Sequence, residues 1–583
     1  MSMITCQVNG IDVQVEAGSS MLDAARQANV NVPVLCYHPD LPPWGACGLC
    51  VVKVEGSQKM MRACATEVTE GMKLITHDPE LHQVRRTTLE MILSTHPNSC
   101  LTCARNGTCE LQNLAADFGI REQPYEMNVQ EIPQDKSTSA IVLNPEKCVK
   151  CGRCVNVCQE MQGVYALEFL DRGDGVRMAP AADVALNDSP CIKCGQCSAH
   201  CPVGAIFEND DTAHVMNAVR NPKLRKVVQI APAVRVALGE SFGLEPGELT
   251  TGKIYAALRR LGFDVVFDTN FGADLTVMEE ATEFVRRFAH GEGELPLITT
   301  CCPSWVDYME KFYPDMIPHF STAKSPQMML AAMTKSYYAR KEGIKPEEIF
   351  HASVMPCTSK KYEISRGDDM WSSGVQDIDC SITTRELARM IKAAGIDFNS
   401  LEDEAADPAL GMYTGAATIF GATGGVMEAA LRTAHYLVTG KEYEHIQFED
   451  VRGLEGVRAA KIDVDGTEVR VAIAHNTSNV ARVLDEVKAA KSEGRELPYH
   501  FIEVMACRGG CIGGGGQPYG ATDETRRKRI EGLYRDDVEH NLRMSHHNPM
   551  IKTLYDEFLG EPLSEASHKY LHTHYTPRPV YSR

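Results

Sequence analysis

Cys148-Val149-Lys150-Cys151-Gly152-Arg153-Cys154-Val155-Asn156-Val157-Cys158 is answered later in the chain by Cys191-Ile192-Lys193-Cys194-Gly195-Gln196-Cys197-Ser198-Ala199-His200-Cys201. Both runs space their cysteines by two, two and three residues, and Pro202 closes the second. Scattered cysteines would read as small buried hydrophobes. Thiols grouped in register point instead to metal or catalysis, because a reducing compartment disfavours structural disulfides. Of the 22 cysteines in 583 residues, 20 fall into groups; Cys6 and Cys380 stand alone and are assigned plain packing roles.

The paired runs resemble two-cluster bacterial ferredoxins, in which the fourth cysteine of each run crosses to the other cluster. On that pattern Cys148, Cys151, Cys154 and Cys201 hold one 4Fe–4S cluster, and Cys191, Cys194, Cys197 and Cys158 the other. The crossing requires both halves to fold against each other, which gives the internal repeat a physical cause. Gln159 replaces the usual proline after Cys158, a position that restricts backbone and supplies no ligand.

Two further groups lie upstream. Asn9-Gly10 between the alternating runs Ile4–Val8 and Ile11–Val15 predicts a hairpin, and Ser20 precedes a helical stretch, Met21–Ala28. A glycine-rich loop follows, carrying Cys47 and Cys50, flanked by Cys36 and Cys64. The order resembles a plant-type 2Fe–2S ferredoxin, but ten residues rather than four separate the first two cysteines. The resemblance is therefore to the variant ferredoxin domain of respiratory complex I and its relatives; a zinc site is the competing reading. His96, Cys100, Cys103 and Cys109 are spaced by three, two and five residues. In isolation one imidazole and three thiolates suit tetrahedral zinc. Between two iron–sulfur modules they resemble the histidine-ligated 4Fe–4S site of complex I and certain hydrogenases.

Length allows three or four domains. With 59 basic and 78 acidic side chains the formal charge is −19, which argues against a nucleic-acid partner. No apolar run approaches the roughly 18 residues of a membrane span. Met1–Val15 lacks the basic segment, apolar core and cleavage site of a signal peptide, so the expected location is cytoplasmic.

After about Arg220, strands alternate with helices. Lys226–Ile230, Asp264–Asp268, Leu295–Thr300, Glu348–Met355, Val469–His475 and His500–Met505 read as short buried strands, with helices at Thr276–Arg287 and Thr384–Ala394 among them. This predicts an α/β domain with largely parallel sheets, whose ligands sit at the carboxyl ends of strands. Cys301, Cys302, Cys357, Cys507 and Cys511 all fall at such ends. Four thiolates suffice for one more 4Fe–4S cluster. Adjacent residues in extended backbone point oppositely, so Cys301 and Cys302 should not share one cluster.

Thr299-Thr300-Cys301-Cys302-Pro303-Ser304-Trp305, Met355-Pro356-Cys357-Thr358-Ser359-Lys360-Lys361 and Glu503-Val504-Met505-Ala506-Cys507-Arg508-Gly509-Gly510-Cys511-Ile512-Gly513-Gly514-Gly515 resemble the three signatures of FeFe-hydrogenases. The resemblance covers essentially the whole chain, including Leu571-His572-Thr573-His574-Tyr575, which is similar to the small-subunit segment. It implies reversible conversion of protons and electrons to dihydrogen at an H-cluster: a 4Fe–4S cubane joined to a diiron unit carrying CO, cyanide and an amine dithiolate. Cys302, Cys357, Cys507 and Cys511 would bind the cubane, with Cys511 bridging to the diiron unit. Lys360 would donate to a cyanide, and Met355, Met505 and Phe420 would pack around the unit. Cys301 would be the terminal proton donor, fed through Glu280, Ser321, Glu283 and Arg287. Read bare, Glu280, Glu283 and Arg287 favour a salt-bridged surface helix face instead.

The domains expected are 1–79 (β-grasp 2Fe–2S ferredoxin-like), 80–138 (histidine-ligated 4Fe–4S), 139–218 (two-cluster ferredoxin-like), 219–520 (catalytic) and 521–583 (small-subunit-like). Ser304 and Arg508 depart from many single-chain members, and Arg508 favours the subunits of multimeric, NAD(P)-linked hydrogenases, electron-bifurcating ones among them. The implied partners are a flavin-containing NAD(P)-binding subunit, a thioredoxin-like 2Fe–2S subunit and ferredoxin. No GxGxxG fingerprint lies between a strand and a helix, so the chain itself is not expected to bind the nicotinamide. The competing readings are a complex-I-like or formate-dehydrogenase-like electron-transfer subunit, a non-enzymatic hydrogenase-like protein of iron–sulfur assembly, and a hydrogen sensor.

One 2Fe–2S cluster, three accessory 4Fe–4S clusters and the H-cluster require about twenty irons per chain. Iron analysis should approach that number in matured protein. Protein made without the maturation enzymes should still be brown but evolve no hydrogen.

Overall fold

The computed structural model describes residues 2–442, 451–464 and 466–582. All 22 cysteines are free of disulfides. No helix among the described residues is long and apolar enough to cross a membrane.

At the N-terminus, strands Met3–Val8 and Ile11–Glu16 pair antiparallel, with Val8 opposite Ile11. Asn9 and Gly10 between them both take positive φ, 51° and 84°, as a type I′ turn requires. The hairpin joins a five-stranded mixed sheet with Val51–Val54, Met60–Arg62 and Lys73–Ile75. Helix Met21–Gln27 packs against it, started by a capping box between Ser20 and Asp23. Cys50 and Cys64 belong to the core between helix and sheet, and so does the lone Cys6. Helix Pro79–Ser94, capped by Asp78, leads into the next module.

The repeat seen in the cysteine runs recurs in the backbone. Lys150 and Gly152 have φ of 52° and 79°; Lys193 and Gly195 have φ of 60° and 69°. Each left-handed glycine starts a short helix, Arg153–Asn156 or Gln196–His200, and these two helices pack together. Strand Ile141–Leu143 pairs antiparallel with Ile206–Glu208, bringing the two ends of the module together.

The larger C-terminal half contains two four-stranded sheets. In one, strands Val265–Asp268, Arg225–Ile230, Ile349–Met355 and Cys380–Thr383 are parallel throughout. In the other, Leu297–Ile298, Phe501–Met505 and Thr467–His475 are parallel, and Val457–Val464 closes the edge antiparallel. The sequence does not announce that edge strand: its burial alternates, but Arg458 and Ala460 hold inward positions and Val457 and Ala459 outward ones, so its apolar residues do not. The run Leu295–Thr300 shrinks to Leu297–Ile298, beginning after Pro296, which has no N–H to give a ladder.

The helix expected at Thr276–Arg287 extends over Thr269–His290. Its first nine residues, from Thr269 to Val277, are buried on every face, so they show no 3.6-residue periodicity. Helix Pro326–Met333 crosses it closely, with Gly272 beneath Pro326. The last segment wraps this half. Helix Asp523–Glu539 is tied by Arg529–Glu240 and Arg432–Asp537 pairs, and His572 bridges to Ala323.

A Cβ at residue 272 would lie 2.1 Å from the Pro326 carbonyl oxygen. Gly272→Ala should therefore force the two helices apart at a cost of about 1–3 kcal/mol. It should lower the thermal unfolding midpoint.

Candidate metal centre

The carboxyl ends of the strands meet at one cavity. Cys301 and Cys302 follow Leu297–Ile298, Cys357 follows Ile349–Met355, and Cys507 and Cys511 follow Phe501–Met505. All five line the same cavity, together with Met355, Lys360, Phe420 and Met505. The separation expected of neighbouring cysteines is present. Cys301 packs with Phe420 and Met505, whereas Cys302 packs against the core that contains Trp305.

The backbone around the cavity is too close for side chains. A Cβ at Gly514 would lie 2.2 Å from the Pro356 oxygen, one at Gly516 3.0 Å from the Cys357 nitrogen, and one at Gly510 2.7 Å from the Thr423 nitrogen. The glycines after Cys507 and Cys511 thus let this loop pack directly on the Cys357 loop and on the Ala422–Thr423 backbone.

Lys360 is the charge in this apolar site. Its ammonium donates to the Cys301 carbonyl at 3.1 Å and to Glu363 at 2.8 Å. Burial works against that charge, but Glu363 and the nearby thiols more than offset it and hold Lys360 protonated. Burial also pushes the Cys301 thiol well above its usual value, with Glu280 and Cys511 adding to the effect.

Glu280 lies on the same side of the molecule, 1% exposed, with neither carboxylate oxygen meeting a hydrogen-bond partner. Burial raises its pKa to about 8, the neighbouring Ser321 hydroxyl pulling the other way. Glu283, one turn on, is paired. Ser321 Oγ donates to one oxygen at 3.1 Å and Arg287 to the other at 2.5 Å. Arg287 also donates to the carbonyls of Glu294, Pro318 and Phe320. The structure therefore brings Glu280, Ser321, Glu283 and Arg287 together, buried or nearly so, rather than along an exposed helix face.

Of the two unusual residues, Arg508 forms a two-pronged ion pair with Asp523 at the start of the C-terminal segment. Ser304 is buried with its hydroxyl unpartnered. Other cavity-lining residues escaped the sequence reading: Pro232, Ala233, Thr269, Pro326 and Gln327. Pro232 and Thr269 follow strands Arg225–Ile230 and Val265–Asp268, so the strand-end rule that picked out the cysteines would have found them.

The remaining groups are also assembled. Cys148, Cys151, Cys154 and Cys201 line one small cavity, and Cys158, Cys191, Cys194 and Cys197 another, which is the crossed grouping. His96, Cys100, Cys103 and Cys109 line a third. His96 is buried, its Nδ1 lacks a partner, and burial lowers its pKa to about 4, so the ring is neutral. In the first group, the Cys47 N–H points to Cys36 Sγ at 3.5 Å and the Cys50 and Cys64 sulfurs are 3.4 Å apart.

Both outlying groups touch the first ferredoxin set, and the second run touches the central cavity. Thr358 donates to the Lys193 carbonyl, Gln196 donates to the Gly513 carbonyl, and Gly515 packs on Cys194 and Gly195, joining the second ferredoxin run to the central cavity. The Cys103 sulfur packs against Gly204, and Arg105 donates to the Cys201 carbonyl at 3.0 Å. Trp44 lies against Gly152, and Asn156 donates to the Pro42 carbonyl at 3.0 Å.

Residues 225–515 match the family described as iron only hydrogenase large subunit, C-terminal domain, and 523–578 match iron hydrogenase small subunit. Residues 1–79 match a 2Fe-2S iron-sulfur cluster binding domain, 85–124 the NADH-ubiquinone oxidoreductase-G iron-sulfur binding region, and 147–205 a 4Fe-4S dicluster domain. The chain is 47% identical to the NADP-reducing hydrogenase subunit HndD of Solidesulfovibrio fructosivorans, over 99% of this chain and 100% of that protein. It is 38% identical to iron hydrogenase 1 of Clostridium pasteurianum, over 98% and 100%. Among solved structures, an apo [FeFe]-hydrogenase HydA1 variant from Chlamydomonas reinhardtii superposes with a TM-score of 0.56 at 40% identity, covering 64% of this chain and 100% of that one.

With a pKa of about 8, Glu280 is protonated at neutral pH. Infrared spectra should contain a protonated-carboxyl band that Glu280→Gln removes. The band should fade as pH rises through about 8, and its absence already at neutral pH would contradict the burial argument.

Proposed function

The chain belongs to the iron-only hydrogenase family, and from that premise we propose that Cys302, Cys357, Cys507 and Cys511 hold the 4Fe–4S part of an H-cluster. The protein is a hydrogenase that interconverts dihydrogen with protons and electrons, and its iron–sulfur domains carry electrons to partners. The observation that carries the ligand assignment is the single cavity that these cysteines line with Lys360, Met355, Met505 and Phe420. The donor set suits the group: four soft thiols, glycine-walled loops that leave room between them, and one buried ammonium to face anionic ligands. When bound, the diiron unit supplies the site at which dihydrogen is made or split.

The chain's own residues then have divided tasks. Cys301, a free thiol on the cavity wall, holds or releases the proton at Sγ. Glu280, protonated near neutrality and without a fixed partner, exchanges protons with it. Ser321 passes the proton on to Glu283, whose second oxygen is held by Arg287. Met355, Met505 and Phe420 exclude water.

The same reading assigns three accessory 4Fe–4S clusters, one to each crossed ferredoxin set and one to His96, Cys100, Cys103 and Cys109, and a 2Fe–2S cluster to Cys36, Cys47, Cys50 and Cys64. Four ligands standing around an open cavity favour a polynuclear cluster over zinc, whose ligands would close on one ion. Electrons enter at the N-terminal modules and leave the second ferredoxin run for the catalytic cavity. The partners we infer are a flavin-containing NAD(P)-binding subunit and a thioredoxin-like 2Fe–2S subunit, with ferredoxin as a further carrier. Full-length similarity to an NADP-reducing hydrogenase subunit supports this. The place of action is the cytoplasm, where 22 unpaired thiols are kept reduced.

Cys301→Ala should keep the H-cluster infrared bands yet lose roughly 10²-fold or more in turnover, the usual scale for a lost general acid. Cys301→Asp should retain part of the activity. Cys302→Ala should lose the bands themselves. Loss of the bands in Cys301→Ala, or full activity there, would overturn the division of labour.

A further inference from the structure

We propose that Lys193, Lys311 and Asp307, joined by Arg578 from the C-terminal segment, form a buried charge set that raises the reduction potential of the four-iron centre at Cys158, Cys191, Cys194 and Cys197. The inference rests on the proposed assignment of a cluster to those four cysteines.

Lys193 lies inside the ligand run, between Cys191 and Cys194. Its ammonium meets Asp307 Oδ2 at 3.1 Å and the Cys191 carbonyl at 3.5 Å. Lys311 donates to that same carbonyl at 2.8 Å and lies 3.3 Å from the same carboxylate oxygen. The side chains of Lys193, Lys311 and Asp307 are 1%, 3% and 0% exposed. Arg578 pairs with the other Asp307 oxygen, and Lys193 also sits 4.4 Å from the centre of the Tyr362 ring. The repeat itself does not impose this arrangement: Lys150, at the equivalent place in the first run, is only half-buried.

Three cations around one carboxylate leave two positive charges without a countercharge among them. Burying charge is costly, and one ion pair would have satisfied Asp307. The surplus acquires a purpose beside a cluster of four thiolates, which is anionic when oxidised and more so when reduced. Reduction of this centre takes one electron, arriving from the neighbouring ferredoxin centre, and makes or breaks no bond. The added negative charge meets ammonium groups that water screens poorly. The reduced form is thus favoured and the potential raised. The C-terminal segment takes part because Arg578 neutralises Asp307 and leaves both lysines to act on the cluster.

The test is a redox titration followed by electron paramagnetic resonance on the full-length, cluster-loaded protein. In Lys311→Met the midpoint of one 4Fe–4S centre should fall, in Asp307→Asn the midpoint of that same centre should rise, and in Lys311→Arg it should stay. The 2Fe–2S signal should not move in any of them. If Asp307→Asn fails to fold, Arg578→Gln, at a half-buried position, provides a second charge-removing variant and should lower the midpoint. Unmoved midpoints, or movement in one direction for both Lys311→Met and Asp307→Asn, would overturn the proposal. A ferredoxin module without two four-iron signals even in the unaltered protein would instead overturn the cluster assignment beneath it.

Discussion

Cysteine loops from distant parts of the chain meet because main chain packs on main chain with nothing between. Gly514 lies on the Pro356 carbonyl, Gly516 on the Cys357 nitrogen, Gly510 on the Ala422–Thr423 backbone, and Gly515 on Cys194 and Gly195. At each of these places a single methyl group would collide with backbone, which cannot swing aside as a flexible side chain can. The glycine run after Cys511 therefore does more than turn a corner. It sets how near three strand ends and a separate ferredoxin module approach, and so where the sulfurs stand.

Much of this could be read before any coordinates. Regular thiol spacing fixed the groups, and the crossed sets of the two runs reappear as two cavities because one left-handed Lys-x-Gly backbone is used twice. Strands buried on both faces were visible as short apolar runs, and their ends located the central cavity. What stayed hidden was of two kinds. The edge strand Val457–Val464 puts Arg458 and Ala460 at inward positions, so its apolar residues do not alternate although its burial does, and the start of the helix at Thr269 is buried all round; hydrophobic periodicity is silent in both. Pairwise electrostatics was hidden as well. Nothing near Lys193 in sequence announces Asp307, and nothing near Arg508 announces Asp523.

The interior also treats its carboxylates unequally. Asp307 is surrounded by cations, Glu283 is held by Ser321 and Arg287, and Glu279 accepts from Tyr555, Leu563, Ser567 and His572. Glu280, next to Glu279 on the same helix, has none of this. A buried carboxyl left unpaired is destabilising, and this one lies between a thiol on the cavity wall and a hydrogen-bonded Ser–Glu–Arg series. The proton relay proposed for it would need a carboxyl that no ion pair holds.

Trp44 against Gly152 and Cys103 against Gly204 land on the same stretch of the protein, the loops that carry Cys151 and Cys201. The two outlying sulfur groups are therefore limbs of a fork, not beads on a string. Severing one limb leaves the other connected to the stem. If the groups carry the clusters proposed for them, electrons from both limbs would meet at the stem before they reach the interior.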